Sequence, residues 1–156
     1  MVFYILQTTI FSQMKLISGS ADLVLLFLAA WSLQEQIRNT LLWTIIAGTL
    51  ISILSAMPFF APLIGYLGVV GISKILQRRV WRSPLLAMLI VTMLGTFFQQ
   101  IVYVIVLQVN EAPISWGQSL DNVILPSVLL NLIFALPIFA IANTLAGRVS
   151  PQEVEI

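Results

Sequence analysis

The 156 residues contain no cysteine and no histidine. Disulfides, thiol nucleophiles, thiolate and imidazole metal sites, and any Ser-His-Asp triad are therefore excluded together. Charge is scarce as well. Only 8% of residues are charged, against roughly 25% in an ordinary soluble domain, so a solvated globule is excluded. Seven basic and six acidic residues leave a net charge of +1, and no long-range field draws in nucleic acid or acidic substrates. The ~10-residue segments of alternating polarity that build a membrane β-barrel are missing too. The opening Met1-Val2-Phe3-Tyr4 has neither a basic n-region nor an Ala-x-Ala site, so the first apolar stretch is expected to stay in place rather than leave as a signal peptide.

What is present is hydrophobic: 60% of the residues, with a mean hydropathy of +1.04. A bilayer-crossing helix needs ~20 mostly apolar residues to cover a ~30 Å hydrocarbon core. No charge occurs from Asn39 to Ser73, from Ser83 to Asn110, or from Asn122 to Gly147. The first of these gaps is too long for one helix, and Met57-Pro58-Phe59-Phe60-Ala61-Pro62 divides it with two prolines that read as a tight turn. The expectation is one all-α membrane domain, a bundle of six transmembrane helices at about 2–17, 21–36, 40–57, 61–77, 84–108 and 123–146. With a cytoplasmic amino terminus, the inner face receives Arg38, Lys74, Arg78, Arg79, Arg82 and Arg148, and the outer face only Lys15. That bias predicts cytoplasmic amino and carboxyl termini. Trp31, Trp43, Trp81 and Trp116 fall near span ends, as an aromatic belt would place them.

Within the spans, few residues carry chemistry. Asp22 is the one acid beside an apolar run. An intramembrane carboxylate points by default to a relay, yet at the first turn of its helix, behind Ser20 as a candidate N-cap, it also suits the free amides and the helix dipole. Cap, partner contact and ion coupling all stay open. Gln99 and Gln100 near mid-span, and Asn131 in the last span, read as interhelical hydrogen-bonding groups or as the lining of a cavity. Small residues recur every fourth position at Gly48, Ser52 and Ala56, and every third at Gly65, Gly68 and Gly71. They permit close helix approach, within the chain or against another membrane protein. Lys74, Arg78 and Arg82 share a helix face with Arg79 beside them, a topogenic cluster that favours anionic lipid headgroups. The connection from Val109 to Asn122 is the longest expected outer loop. Pro126 suits the first turn of the last span, and Pro137 falls inside it. With no paired acids and no nucleophile beside a base, neither catalysis nor a cofactor is expected.

Several strings, in order and spacing, resemble the bacterial rod-shape-determining family MreD. They are Leu6-Gln7-Thr8-Thr9, Asp22-Leu23-Val24-Leu25-Leu26, Pro58-Phe59, Ile64-Gly65-Tyr66-Leu67-Gly68 ahead of Arg78-Arg79, and Leu125-Pro126-Ser127-Val128-Leu129-Leu130-Asn131. The family usually has Pro-Asp-Leu where Ala21-Asp22-Leu23 stands. It also tends to carry Gly-Leu and an Asp where this chain has Ser52-Ile53-Leu54-Ser55. The resemblance implies a non-catalytic six-helix protein of the inner membrane that partners MreC. It thereby joins the elongation machinery of MreB, a RodA-type glycan polymerase and a penicillin-binding transpeptidase. It also implies a fold similar to the substrate-capture subunit (S-component) of energy-coupling-factor vitamin transporters, which makes such a subunit the rival reading.

Overall fold

A computed structural model describes residues 21–35, 37–79, 83–112 and 115–149. Its helices are α1 (Leu23–Ser32), α2 (Thr40–Leu54), α3 (Phe60–Arg79), α4 (Pro84–Val109), α5 (Trp116–Ser119) and, after a π-helical turn at Leu120–Ile124, α6 (Leu125–Val149). No strand occurs among the described residues, in keeping with the all-α reading. Three helices are long and apolar enough to cross a bilayer: α3, α4 and the continuous stretch Trp116–Val149 of 34 residues. The apolar helices α1 and α2 are shorter, with 10 and 15 residues. The expected span 2–17, together with Ser20, Trp81 and Arg82, lies outside the described residues.

Helix boundaries follow local chemistry, with two departures from the sequence reading. Pro84 opens α4 at a position whose amide needs no partner. Only Pro58 belongs to the turn before α3, where its carbonyl accepts from the Ala61 amide at 2.9 Å. Pro62 instead occupies the first turn of α3, which also tolerates the missing N–H. The expected long loop after Val109 is shorter than predicted, because helix resumes at Trp116. Pro126 falls in the first turn of α6, as expected, but helical backbone already precedes it from Trp116. It has no amide to offer the Asn122 carbonyl, and the backbone ahead of it widens into the π turn, closed by Leu125 N–H to the Leu120 carbonyl. Pro137 is held inside α6, as expected.

The core is built around α1, which is apolar on every side and buried nearly all round. Leu25, Leu26, Ala29 and Ala30 pack with Tyr66, Val69 and Val70 of α3, Met88 and Val91 of α4, and Ala135, Phe139 and Ala142 of α6. The helix ends under a half-buried Trp31, whose ring stacks on Phe27 with centroids 5.4 Å apart. By contrast, α2 buries only Thr40, Thr44, Gly48 and Ser52, one residue per turn. Ala47 and Ile51 are half-buried against the core, while the outer face of α2, including Leu41, Leu42, Trp43, Ile46 and Ile53, is exposed. Such an apolar exterior suits hydrocarbon or another membrane helix.

The small-residue stripes divide. A Cβ on Gly65 would lie 2.8 Å from Gln99 Cγ, one on Gly68 would fall on the Phe98 ring, and one on Gly48 would lie 2.8 Å from Leu63 Cδ1. These glycines allow close packing inside the chain, between α3 and α4 and between α2 and α3. Gly95 does the same against Val69, at 3.0 Å. Two members of the stripes do not serve this role. Gly71 is exposed with nothing within 4 Å of a Cβ, and Ala56 is exposed beyond the end of α2. A step of three residues turns only about 300°, so the third glycine has drifted off the face that Gly65 presents to α4, and Ala56 lies past the last helical turn.

Candidate functional site

Asp22 is the hub. It is itself the N-cap of α1: its Oδ1 accepts from the Leu25 amide at 2.9 Å. The sequence had placed it inside the first helical turn, behind Ser20. Its Oδ2 accepts from the Tyr66 hydroxyl of α3 at 3.1 Å and from Gln99 Nε2 of α4 at 3.0 Å. The Asp22 amide in turn donates to Asn131 Oδ1 of α6 at 2.8 Å. One residue thus ties α1 to three other helices.

Two further links extend the network. Gln99 Nε2 also donates to the Tyr103 hydroxyl at 2.9 Å, one turn along α4. Asn131 Nδ2 donates to Thr96 Oγ1 at 2.9 Å. Tyr66, Thr96, Gln99 and Asn131 are all buried.

The depth of this node explains its chemistry. Gln99 lies 15 residues from Pro84 and 10 from Val109, about 22 and 15 Å at ~1.5 Å per residue. A residue bonded to Gln99 is therefore far from either end of α4. The helix α1 starts there, and its 10 residues span only about 15 Å. A helix end at such depth exposes amides with no water to satisfy them, and each unsatisfied group costs several kcal/mol in hydrocarbon. The Asp22 carboxylate covers the Leu25 amide, and Asn131 covers that of Asp22. All three side-chain or backbone partners described at the carboxylate are donors, the pattern an anion requires.

Asp22, Gln99 and Asn131, which the sequence spread over different depths, are thus brought together. The error came from setting Asp22 at the membrane edge, at the mouth of a full-length span 21–36. Gln100 does not join them: it is half-buried on the neighbouring face of α4. Tyr66, Tyr103 and Thr96 were missed by the sequence reading. A signal existed in α4, where Thr92, Thr96, Gln99 and Tyr103 recur at helical spacing on one face of an otherwise apolar span.

The basic cluster lies at the far end of α3. Arg78 and Arg79 are exposed in its last turn, where positive charge opposes the helix dipole. Lys74 Nζ donates to Gln77 Oε1 at 3.4 Å, and Gln77 Nε2 donates to the Leu33 carbonyl at 3.3 Å, just past the end of α1. Among the described residues no group of three or more His, Cys, Asp or Glu is placed to hold a metal ion. The site's chemistry is hydrogen bonding. It holds a carboxylate in place between donors from two other helices.

No protein-family model, no curated protein and no solved structure matches this chain.

Proposed function

We propose that this chain is a non-catalytic integral membrane scaffold of the bacterial rod complex, similar to MreD. In this reading its outer helix surfaces hold the transmembrane helix of MreC and so support peptidoglycan synthesis by the elongation machinery. The observation that carries the proposal is the Asp22 node, whose carboxylate accepts from Leu25, Tyr66 and Gln99 of the same chain. Together with the bond from the Asp22 amide to Asn131, they clamp four helices into a fixed shape, and a fixed shape with a broad apolar exterior is what a scaffold requires. The outward face of α2 is the natural seat for a partner helix, since α2 gives only one residue per turn to its own bundle.

Co-purification from detergent tests this reading. MreC retained at defined stoichiometry supports it, and an MreC that washes away under conditions preserving the bundle refutes it. Orientation in the inner membrane, with both termini cytoplasmic, rests on the Lys/Arg bias. Reporter fusions after Arg82 are expected to read cytoplasmic, and those near Trp116 external.

One observation favours the capture-subunit reading. Asp22, Tyr66, Gln99, Tyr103 and Asn131 converge in the bundle interior, and convergent polar groups are what a small-molecule site needs. Recovery of a tightly held metabolite, or of an energising ATPase module, with the purified chain would favour that alternative.

A further inference from the structure

Helical Ser and Thr hydroxyls in an apolar setting ordinarily bond back to a carbonyl three or four residues earlier. Ser32, Thr44 and Thr144 do so here, at 2.8, 2.8 and 2.9 Å. Ser73 of α3 and Thr92 of α4 do not. Both are fully buried, and neither hydroxyl has a hydrogen-bond partner among the described residues.

The helix register brings these two together. Close approaches of Gly65 to Gln99 and of Gly95 to Val69 set α3 and α4 antiparallel, with paired residue numbers summing to about 164. One turn further, Ser73 faces the stretch holding Val91 and Thr92. The hydrogen bonds from Tyr66 to Asp22 and from Gln77 to the Leu33 carbonyl run α1 parallel to α3, which sets Ala29 beside Ser73. The bond from Asn131 to Thr96 sets Ala135 beside Thr92. The layer next to the Asp22 node therefore holds these two hydroxyls, with buried Ala29 and Ala135 beside them and Val70, Met88 and Val91 on the same turns.

We infer that Ser73 and Thr92 form an internal hydration site, in which one ordered water bridges their hydroxyls at the seam of α3 and α4. Buried waters typically make about three hydrogen bonds to groups otherwise left unsatisfied. Two adjacent hydroxyls supply donors and acceptors for most of that need, and small neighbours leave room. Thr92 is one turn from Thr96 on the same face of α4, so the water extends the polar column from Tyr103 and Asp22 toward the Lys74 end of the bundle. This inference is independent of whether the chain serves the rod complex.

The test compares Ser73→Ala, Thr92→Val and the double variant by reversible unfolding of the full chain in detergent. With a bridging water, each single substitution strands the remaining hydroxyl and lowers the folding equilibrium by roughly tenfold. The double substitution removes both claims on the water and recovers most of that loss. In a dry seam, each substitution deletes an unpaired hydroxyl, so both singles are neutral or stabilising and their effects add. That additive result overturns the inference. Should a variant fail to fold, radiolytic labelling of the unmodified chain decides. Oxygen uptake at fully buried Met88, one turn from Thr92, is expected beside internal water, and its absence while exposed Met93 is labelled overturns the site.

Discussion

Replacing Asp22 by alanine removes the acceptor shared by three donors: the Leu25 amide, the Tyr66 hydroxyl and one N–H of Gln99. Each buried donor left unpaired costs about 1–3 kcal/mol. Deleting the carboxylate also relieves the cost of holding a charge away from water, so the simple sum of three is an upper bound. Breaking one side of a buried charged network typically costs about 3–5 kcal/mol, and that range is expected for Asp22→Ala. The isosteric Asp22→Asn keeps an oxygen for the Leu25 amide. It turns an NH2 toward Tyr66, which can rotate to accept, and toward Gln99, which must flip its amide and leave Tyr103 to donate where it had accepted. About 1–2 kcal/mol is expected there, the value of one or two hydrogen bonds. Equilibrium unfolding in mixed detergent micelles measures both. A double-mutant cycle with Gln99→Leu separates the node from simple loss of an N-cap, which alone costs ~1 kcal/mol. A coupling above about 1 kcal/mol is expected between contacting residues. If Asp22→Ala is as stable as the parent, or the cycle is additive, then the carboxylate does not clamp the bundle and the reasoning fails.

Four further outcomes follow from the same geometry. Gly68→Leu drives a side chain into the Phe98 ring and is expected to cost at least ~1–3 kcal/mol by overpacking. Gly71→Ala meets nothing within 4 Å and is expected to be neutral or to stabilise by up to about 1 kcal/mol through helix propensity; parallel unfolding curves check the contrast. Glu111 follows α4 with a left-handed φ of 60°, while the amides of Glu111 and Ala112 donate to the Gln108 and Leu107 carbonyls. This is the glycine position of a Schellman motif, so Glu111→Gly is expected to stabilise by roughly 1 kcal/mol, and an unchanged unfolding midpoint would contradict that. Asn131→Leu strips the acceptor from the buried Asp22 amide and is expected to cost about 1–3 kcal/mol, visible as a lower detergent midpoint.

How much of this was legible in the sequence depends on which physical signal each feature leaves. The all-α bundle was legible because the charge-free runs are far too long and too uniformly apolar for strands. The α3–α4 seam was legible as Gly65 and Gly68, since close approach in lipid demands small side chains. That rule does not say which members of a stripe face inward, and Gly71 and Ala56 meet no neighbouring helix among the described residues. The start of α1 was misplaced because hydropathy reports only that Leu23 to Ser32 is apolar. It does not report that a helix begins at mid-depth when partners from other helices can satisfy its first amides. Tyr66 was hidden for a related reason: a tyrosine in an apolar span reads as bulk until its hydroxyl has a destination.

The mid-depth start of α1 also decides what kind of site Asp22 makes. Because the helix begins inside the bundle, one carboxylate oxygen is committed to its own backbone, and Asn131 is committed to the Asp22 amide. The second oxygen is held by donors from two different helices. A ligand entering this node would have to take those donors from the carboxylate, and each donor removed would loosen a helix. In Asp22 the polar groups are already matched within the chain, so the node is built as a clamp on four helices.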